Sequence, residues 1–128
     1  WDACGMRKYL NKTVLALLPD DLQAVIAPTT IVQIVDGERV ESVDKLFLLS
    51  KTQVFGKGGW TENEPEAPQL DCFRRENDRV KECAAQGTWW WWLRSANGNG
   101  FFDIVNTDGS ISYNFANYTG GVALGFCT

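Results

Sequence analysis

The stretch that decides the fold is Trp89-Trp90-Trp91-Trp92-Leu93-Arg94-Ser95. Successive side chains of a β-strand point to opposite faces, so four tryptophans in a row send two rings to each face. The pattern predicts a central antiparallel strand in which Trp90 and Trp92 share one face and Trp89 and Trp91 share the other. At least one of these pairs is expected to be well buried. Alternatively, one ring of the run reaches a binding face, where tryptophan is a favoured contact residue.

The residues from Trp89 to Thr128 differ in composition from the rest of the chain. Their only charged side chains are Arg94, Asp103 and Asp108. The segment is rich in asparagine and in aromatic residues, namely Asn97, Asn99, Asn106, Asn114, Asn117, Phe101, Phe102, Tyr113, Phe115, Tyr118 and Phe126. Aromatic anchors among adaptable hydrogen-bonding side chains are typical of antibody-like contact surfaces. A glycine-rich run of hairpins would also be poor in charge, and is the structural alternative.

Three motifs carry a resemblance to a known family. They are the Trp-Trp-Leu-Arg-Ser strand, Val105-Asn106-Thr107-Asp108-Gly109-Ser110-Ile111 after a short Asn/Gly loop, and Gly121-Val122-Ala123-Leu124. Together they resemble a widespread bacterial and phage domain of unknown function with a C-type-lectin-type fold. Members of that family serve as variable proteins of diversity-generating retroelements, in which adenine-directed mutagenesis rewrites asparagine codons near the C-terminus. The family tail commonly reads Gly-Val-Arg-Pro-Ala-Leu, whereas here Ala123-Leu124 follows Val122 directly.

The N-terminal segment extends this resemblance. Trp1, Arg7 and Leu10-Asn11 match the family pattern Trp-x-x-Ser-x-Leu-Arg-x-Trp-Leu-Asn, with Tyr9 in place of its second tryptophan. The resemblance implies an α+β, C-type-lectin-like fold in which small helices pack on a twisted, mainly antiparallel sheet. It also implies a single ligand-binding domain over residues 1–128, which we expect to be the C-terminal part of a longer protein.

Periodicity and turn signals predict the individual elements. A helix followed by an apolar turn is expected over Trp1–Leu18. Further helices are expected from Asp20 or Asp21 to just before Pro28, with Leu22, Val25 and Ile26 buried, and at Arg74–Gln86, with Val80, Cys83 and Ala84 facing inward. Strands are expected at Ile31–Val35, Asp44–Ser50, Trp89–Arg94, Phe101–Val105, Ile111–Phe115 and Gly121–Phe126. Asp36-Gly37 and Asp108-Gly109 are the turn signals. Because strands alternate their faces, Val105, Ile111 and Val122 are expected to point inward.

Length and charge narrow the class of protein. A chain of 128 residues is long enough for one domain that buries roughly two thirds of its unfolded surface. The net charge of −4 gives no electrostatic reason to bind nucleic acid or an anionic membrane, both of which attract basic surfaces. No stretch approaches the roughly 18 apolar residues of a membrane span, so we expect no membrane insertion. The resemblance favours a cell surface or a phage particle over the cytoplasm, and the oligomeric state stays open.

Cysteines and acidic residues are the candidates for cross-links and metal binding. Because the four cysteines (Cys4, Cys72, Cys83 and Cys127) form no C-x-x-C pair and histidine is absent, a structural zinc is not expected. Disulfides and free, mostly buried thiols both stay open. Glu62, Glu64 and Glu66 could ligate calcium through oxygen. They have no fixed ligand spacing, which favours a solvated acidic loop, so the prediction is no cofactor, with calcium as the alternative.

Enzymatic chemistry has few candidate residues in this chain. Without histidine, the usual general base near neutral pH is missing. Cys72 and Cys83, close in sequence to several arginines and lysines, are the candidates for an activated thiolate. Formylglycine-generating enzymes, which share the lectin-like fold at a distance and use cysteine chemistry, supply the enzyme alternative. The prediction is that the protein is not an enzyme.

The tail instead predicts a ligand-binding, receptor-recognition domain with a diversified C-terminal surface, the target protein of a diversity-generating retroelement. Protein and glycan targets suit this surface equally. The predicted ligand-contacting, variable positions are Asn97, Asn99, Phe101, Asp103, Ser110, Ser112, Tyr113, Asn114, Asn117 and Tyr118. A non-variable structural paralogue, whose asparagines only cap turns, is the third interpretation. Arg94 is expected to be structural, binding backbone carbonyls or a carboxylate with its fork of donors.

Overall fold

The computed structural model describes residues 1–58, 67–98 and 100–128, which form a mixed α+β fold. The α-helices are short: α1 (Gly5–Tyr9), α2 (Asp20–Val25) and α3 (Lys51–Phe55). The strands are β1 (Thr29–Val35), β2 (Glu38–Asp44), β3 (Phe47–Leu48), β4 (Lys81–Cys83), β5 (Gly87–Trp89), β6 (Trp91–Ala96), β7 (Phe101–Val105), β8 (Ile111–Phe115), β9 (Gly121–Val122) and β10 (Leu124–Gly125). One compact unit comprises Trp1–Phe47 with Leu124–Thr128, and the other comprises Leu48–Ala123. None of the helices in these ranges is long and apolar enough to cross a membrane.

The first unit contains the hairpin of β1 and β2. Its antiparallel register runs from Thr29 opposite Asp44 to Val35 opposite Glu38. The connecting residues Asp36 and Gly37 have φ angles of 51° and 82°. A two-residue type I′ turn requires positive φ at both positions, which Asp-Gly supplies at little steric cost. The predicted turn is therefore confirmed.

The N-terminal motif residues are structural ties within this unit. The buried carboxylate of Asp44 accepts hydrogen bonds from Trp1 Nε1 at 3.0 Å and from Arg7 Nε at 2.7 Å. Asn11 donates to the carbonyl of Leu46 at 2.8 Å and accepts from the N–H of the same residue at 3.0 Å. Buried polar groups are costly unless paired, and these bonds pair them. The motif thus holds the helical N-terminus against the end of β2.

The second unit is built on a four-stranded sheet of order β8-β7-β6-β9. The pairs β6–β7 and β7–β8 are antiparallel, whereas β9 runs parallel to β6. The turn between β7 and β8 contains Gly109 with a φ of 88°, and a Cβ there would overlap the carbonyl oxygen of Glu76. Only glycine adopts this positive φ easily and also lacks the Cβ that would clash. Gly109 therefore lets the hairpin turn lie directly against the backbone of Glu76.

The tryptophan run is divided between two strands. Trp89 ends β5, Trp90 lies outside either strand, and Trp91 begins β6. Trp91 and Trp92 are buried, and the other two rings are half-buried. Trp90 and Trp92 make the expected contact, edge to face with ring centroids 5.0 Å apart. The prediction that one alternating pair is buried is wrong, because β6 is an inner strand covered on both faces and therefore buries successive residues.

Arg94 is structural, as predicted. Its Nη1 donates to the carbonyl of Leu48 at 2.7 Å and to Oε1 of Gln53 at 2.8 Å. The same Gln53 closes a capping box with Ser50 at the start of α3. The neighbouring hydroxyl of Ser95 accepts a hydrogen bond from the N–H of Lys51 at 2.8 Å. Two consecutive residues of β6 thus fix the first turn of α3.

The predicted mixed-charge helix at Arg74–Gln86 is wrong. A 3₁₀ turn covers Glu76–Arg79, and then β4 and β5 form a small hairpin with Cys83 opposite Gly87. Gly87 has a φ of 73°, a left-handed conformation that tightens this hairpin turn instead of ending a helix. Contrary to the predicted inward face, Val80 is half-buried and Cys83 and Ala84 are exposed.

Other expectations are confirmed in part. Trp1–Leu18 is helical over most of its length, through α1, a π-helical turn at Leu10–Val14 and a 3₁₀ turn at Leu15–Leu17. Helix α2 ends at Val25, which is exposed; Leu22 is half-buried, and Ile26, the residue after the helix, is buried. The predicted strand Asp44–Ser50 is mostly a buried irregular segment that contains only the two residues of β3. The predicted strand Gly121–Phe126 is split, and only β9 belongs to the four-stranded sheet.

Among the three positions expected to point inward, only one is buried. Val105 is fully buried, as predicted, but Ile111 and Val122 are exposed. Both exposed residues lie on the outermost strands of the sheet, β8 and β9. An edge strand has a neighbour on one side only, so its apolar side chains lose part of the cover that β7 receives.

Candidate ligand-binding surface

Four aromatic side chains cluster on the hairpin of β7 and β8, and we call them the aromatic patch: Phe101, Tyr113, Phe115 and Tyr118. Phe101 and Phe115 are cross-strand partners, with ring centroids 4.1 Å apart. Tyr113 meets Phe101 edge to face at 5.4 Å, and Tyr118 stacks on Phe115 at 6.3 Å. The exposed fraction is 57% for each tyrosine and 49% for Phe115. Ring contacts therefore hold the patch together while its surface stays open to solvent.

The patch adjoins a small cavity of about 180 Å³, to which Tyr113 also contributes. Its lining residues are Lys51, Asn97, Asp103, Ile111, Ser112 and Tyr113. This volume is below the roughly 300–1,000 Å³ of a site for a drug-sized ligand, so the cavity has room for one small group.

The most buried members of the cavity lining form a polar cluster. Lys51 Nζ lies 3.0 Å from Asp103 Oδ2, and Asn97 Nδ2 donates to Asp103 Oδ1 at 2.7 Å. The carboxylate is 1% exposed, so it depends on this pairing, since an isolated buried charge is very costly. We expected Asp103 at an exposed contact position. The structure corrects this, because the first residue of α3 covers and neutralises the carboxylate.

Ser110, another predicted contact residue, serves the β7–β8 turn. Its hydroxyl and its N–H both donate to Asp108 Oδ1, at 2.6 and 2.9 Å, and Asn106 Nδ2 donates to its hydroxyl at 3.1 Å. The hydroxyl of Ser110, followed by its N–H, lowers the pKa of Asp108 by stabilising the charged carboxylate. This network closes the turn and leaves Ser110 half-buried.

The remaining predicted positions are spread along the hairpin and beyond it. Ser112 and Asn114 are half-buried, and Asn114 Oδ1 accepts the N–H of Phe115 at 2.9 Å. Asn117 is exposed next to Tyr118. Asn99 lies outside the described residues.

The structure therefore brings the predicted positions into two adjoining groups. One is the aromatic patch, with Phe101, Tyr113 and Tyr118, and the other is the cavity lining, with Asn97, Asp103, Ser112 and Tyr113. Sequence reasoning did not select Phe115 and Lys51. The alternation of β8 places Phe115 on the face of Tyr113, so periodicity could have found it. Lys51 carries no such signal, because it reaches Asp103 only through tertiary folding.

The structure describes the four cysteines but not the three glutamates considered as calcium ligands. The four cysteines are free thiols; Cys4 is half-buried, and Cys72, Cys83 and Cys127 are exposed. The glutamates proposed for calcium, Glu62, Glu64 and Glu66, lie outside the described residues. Within residues 1–58, 67–98 and 100–128, no group of three or more cysteine, aspartate or glutamate side chains is placed to hold a metal ion.

A second cavity, of about 330 Å³, opens beside the tryptophan run. It is lined by Lys81, Glu82, Cys83, Trp89, Trp91, Gly121, Val122 and Ala123. Cys83, one of the thiols considered for catalysis, lies in this lining. Trp91 donates its indole N–H to the carbonyl of Arg79 at 2.9 Å, so this ring is held by the fold.

The described residues form a mixed α+β fold in which the β7–β8 hairpin carries a cluster of exposed rings. The chain belongs to the family described as Domain of unknown function (DUF6273), whose model matches residues 1–127. No curated protein and no solved structure matches the chain.

Proposed function

We propose that this domain binds a protein or glycan target through the aromatic patch. The observation that carries the proposal is the exposure of Tyr113, Phe115 and Tyr118, three rings that belong to one cluster because Tyr113 and Phe115 both contact Phe101 and Tyr118 stacks on Phe115. Folding does not require large rings at positions left half open to water. Contiguous exposed apolar patches mark interaction sites, and tyrosine is enriched among the residues that dominate binding energy.

The charge distribution around the patch supports recognition by shape and hydrogen bonding. Of the three charged residues from Trp89 to Thr128, Arg94 and Asp103 are buried. Asp108 is exposed, but it lies in the β7–β8 turn, at the end of the hairpin opposite to Phe101 and Phe115. From this segment a target at the aromatic patch therefore meets mainly rings and neutral polar groups. Such a surface resembles an antibody paratope, in which rigid aromatics supply contact area at a small entropic cost.

The separation of framework from surface supports the finer part of the proposal, a C-type-lectin-like target protein of a diversity-generating retroelement. The patch and the exposed Asn117 tolerate changes without disturbing the buried residues of β6 and β7. In this proposal the hairpin is the displayed, diversified surface, at a cell surface or on a phage particle, and no catalytic step is involved. Sequencing the surrounding locus tests it, because a reverse transcriptase and a near-copy of the C-terminal coding stretch are expected there.

The binding proposal is tested by paired substitutions. A target is first selected by screening the 128-residue chain against a glycan array and a displayed surface-protein library. Phe115→Ala and Tyr118→Ala are expected to weaken binding by roughly 30-fold or more, as for hot-spot residues, and to change stability by only about 0.5 kcal/mol. Tyr9→Ala and Phe126→Ala, which truncate comparably exposed rings elsewhere, are the matched controls. An equal loss in both sets, or no target from either screen, would contradict the proposal.

A further inference from the structure

Strand β8 has one open side. In an antiparallel pair, residues that exchange hydrogen bonds alternate with residues whose N–H and C=O point away from the partner strand. At one end of the β7–β8 pair the backbone N–H of Asn106 donates to the backbone carbonyl of Ser110 at 2.8 Å. At the other end the backbone N–H of Ala116 donates to the backbone carbonyl of Gly100 at 3.0 Å. Every second residue of β8, counted inward from either end, repeats this arrangement. The backbone N–H and C=O groups of Ser112 and Asn114 therefore face β7.

The backbone groups of Ile111, Tyr113 and Phe115 therefore point out of the sheet. The N–H of Phe115 is already taken by the side chain of Asn114, at 2.9 Å. In the part of the chain that the structure describes, no strand pairs with this side of β8, which leaves the N–H groups of Ile111 and Tyr113 facing outward.

In the ranges that the structure describes (1–58, 67–98 and 100–128), this edge also lacks the usual protection. Natural edge strands are shielded by charged side chains, by proline, by bulges or by a covering element. Ile111–Phe115 contains no charged residue and no proline, and its pairing with β7 is regular. Ile111 and Tyr113 are also exposed, so apolar side chains accompany the open backbone groups.

We propose that β8 pairs with β8 of a second copy of this chain, antiparallel about a two-fold axis at Tyr113. In this register Tyr113 lies opposite Tyr113 of the partner subunit, and Ile111 lies opposite Phe115 of the partner subunit. The backbone N–H of each Tyr113 then donates to the backbone carbonyl of Tyr113 of the partner subunit, so the pair exchanges two hydrogen bonds. The two four-stranded sheets become one sheet of eight strands, and the two-fold axis closes the assembly as a dimer.

Self-complementarity favours a second copy over an unrelated partner. Ile111, Tyr113 and Phe115 of one copy supply donors, acceptors and apolar contacts to the same residues of the other copy. The edge carries no charge, so two molecules of net charge −4 can approach each other there. Pairing also places two aromatic patches on one continuous sheet, which would present a target with a bivalent surface. So short an edge buries little area, and the dimer is therefore weak and concentration-dependent.

Sedimentation equilibrium of the 128-residue chain over a range of concentrations tests the dimer. Tyr113→Lys puts two like charges opposite each other at the axis and is expected to lower the association constant at least about tenfold. Tyr118→Lys is the matched control, because Tyr118 is equally exposed but lies outside the strand, and it should leave association unchanged. An equimolar mixture of Tyr113→Lys and Tyr113→Glu chains should regain association as a heterodimer.

Amide hydrogen exchange of the unmodified chain provides a readout that does not depend on any variant. The N–H groups of Ile111 and Tyr113 should become more protected as concentration rises, whereas that of Phe115 should change less. A chain that stays monomeric at every concentration overturns the inference. Equal effects of the lysine substitutions at Tyr113 and Tyr118, or a mixture that fails to associate, overturn it as well. The inference rests on the strand edge and is independent of the target proposed above.

Discussion

Strands β6 and β8 lie two places apart in the same sheet, and both are rich in aromatic side chains, but they differ in burial. Every residue of β6 from Trp91 to Ser95 is buried, whereas β8 alternates between exposed and half-buried residues. β6 has a strand on each side and side chains packed on both faces. In the described part of the chain β8 has one neighbouring strand, and the rings of Tyr113 and Phe115 lie at the surface. Position in the sheet, more than aromatic content, decides which rings belong to the core.

Under the proposed function, this difference separates stability from recognition within one sheet. Rings on β6 gain free energy by leaving water, roughly 25 cal/mol for each Å² of apolar surface buried on folding. Rings on β8 gain only part of that, and the rest stays available to a partner. The two strands therefore predict opposite consequences for the same type of substitution.

The largest expected effect contrasts one ring from each strand. Trp91→Ala removes a buried ring that packs on Phe73 with centroids 5.9 Å apart and donates to the carbonyl of Arg79. The free energy of unfolding should fall by roughly 3–5 kcal/mol, because the change leaves a cavity and an unpaired carbonyl. Tyr113→Ala should change it by only about 0.5 kcal/mol. Urea unfolding of both variants measures the contrast, and similar losses would show that β8 belongs to the core.

The next prediction concerns the buried ion pair beside the patch. Lys51→Met leaves the carboxylate of Asp103 without its counter-charge, and breaking such a pair costs roughly 3–5 kcal/mol. The lower end is expected, because Asn97 still donates to the carboxylate. Adding Asp103→Leu should recover much of the loss, since no unpaired charge then stays buried. If the double variant were no more stable than Lys51→Met alone in urea unfolding, the ion pair would not be the cause.

Local signals in the sequence predicted the β7–β8 hairpin of the second unit. The Asp108-Gly109 pair between two alternating runs indicated the hairpin of β7 and β8, and the structure confirms it. The role of Arg94 also followed from its place at the end of an apolar strand, where a guanidinium needs several acceptors.

The burial of particular residues could not be predicted in the same way. Asp103 looks like a surface residue in the sequence, and only the position of α3 provides the lysine that pairs with it. Ile111 follows the alternating pattern expected of an inward residue, yet β8 lies at the edge of the sheet and leaves it exposed. Periodicity specifies which residues share a face. It does not specify which faces the rest of the chain covers.

The smallest expected effect is electrostatic and lies in the turn that carries β8. The pKa of Asp108 is lowered mainly by the hydroxyl of Ser110, so the folded chain binds a proton there less readily than the unfolded chain. The stabilisation that this provides is present above the unfolded pKa of about 3.9 and is lost as the pH falls through the lower folded pKa. In Ser110→Ala the pKa should rise toward its ordinary value but stay below it, because the N–H at position 110 still donates. Carboxyl carbon shifts of Asp108 followed across acidic pH measure both values. An unchanged pKa would mean that the hydroxyl does not stabilise this carboxylate, and the N–H at position 110 would then be the main donor that holds Asp108 in the turn.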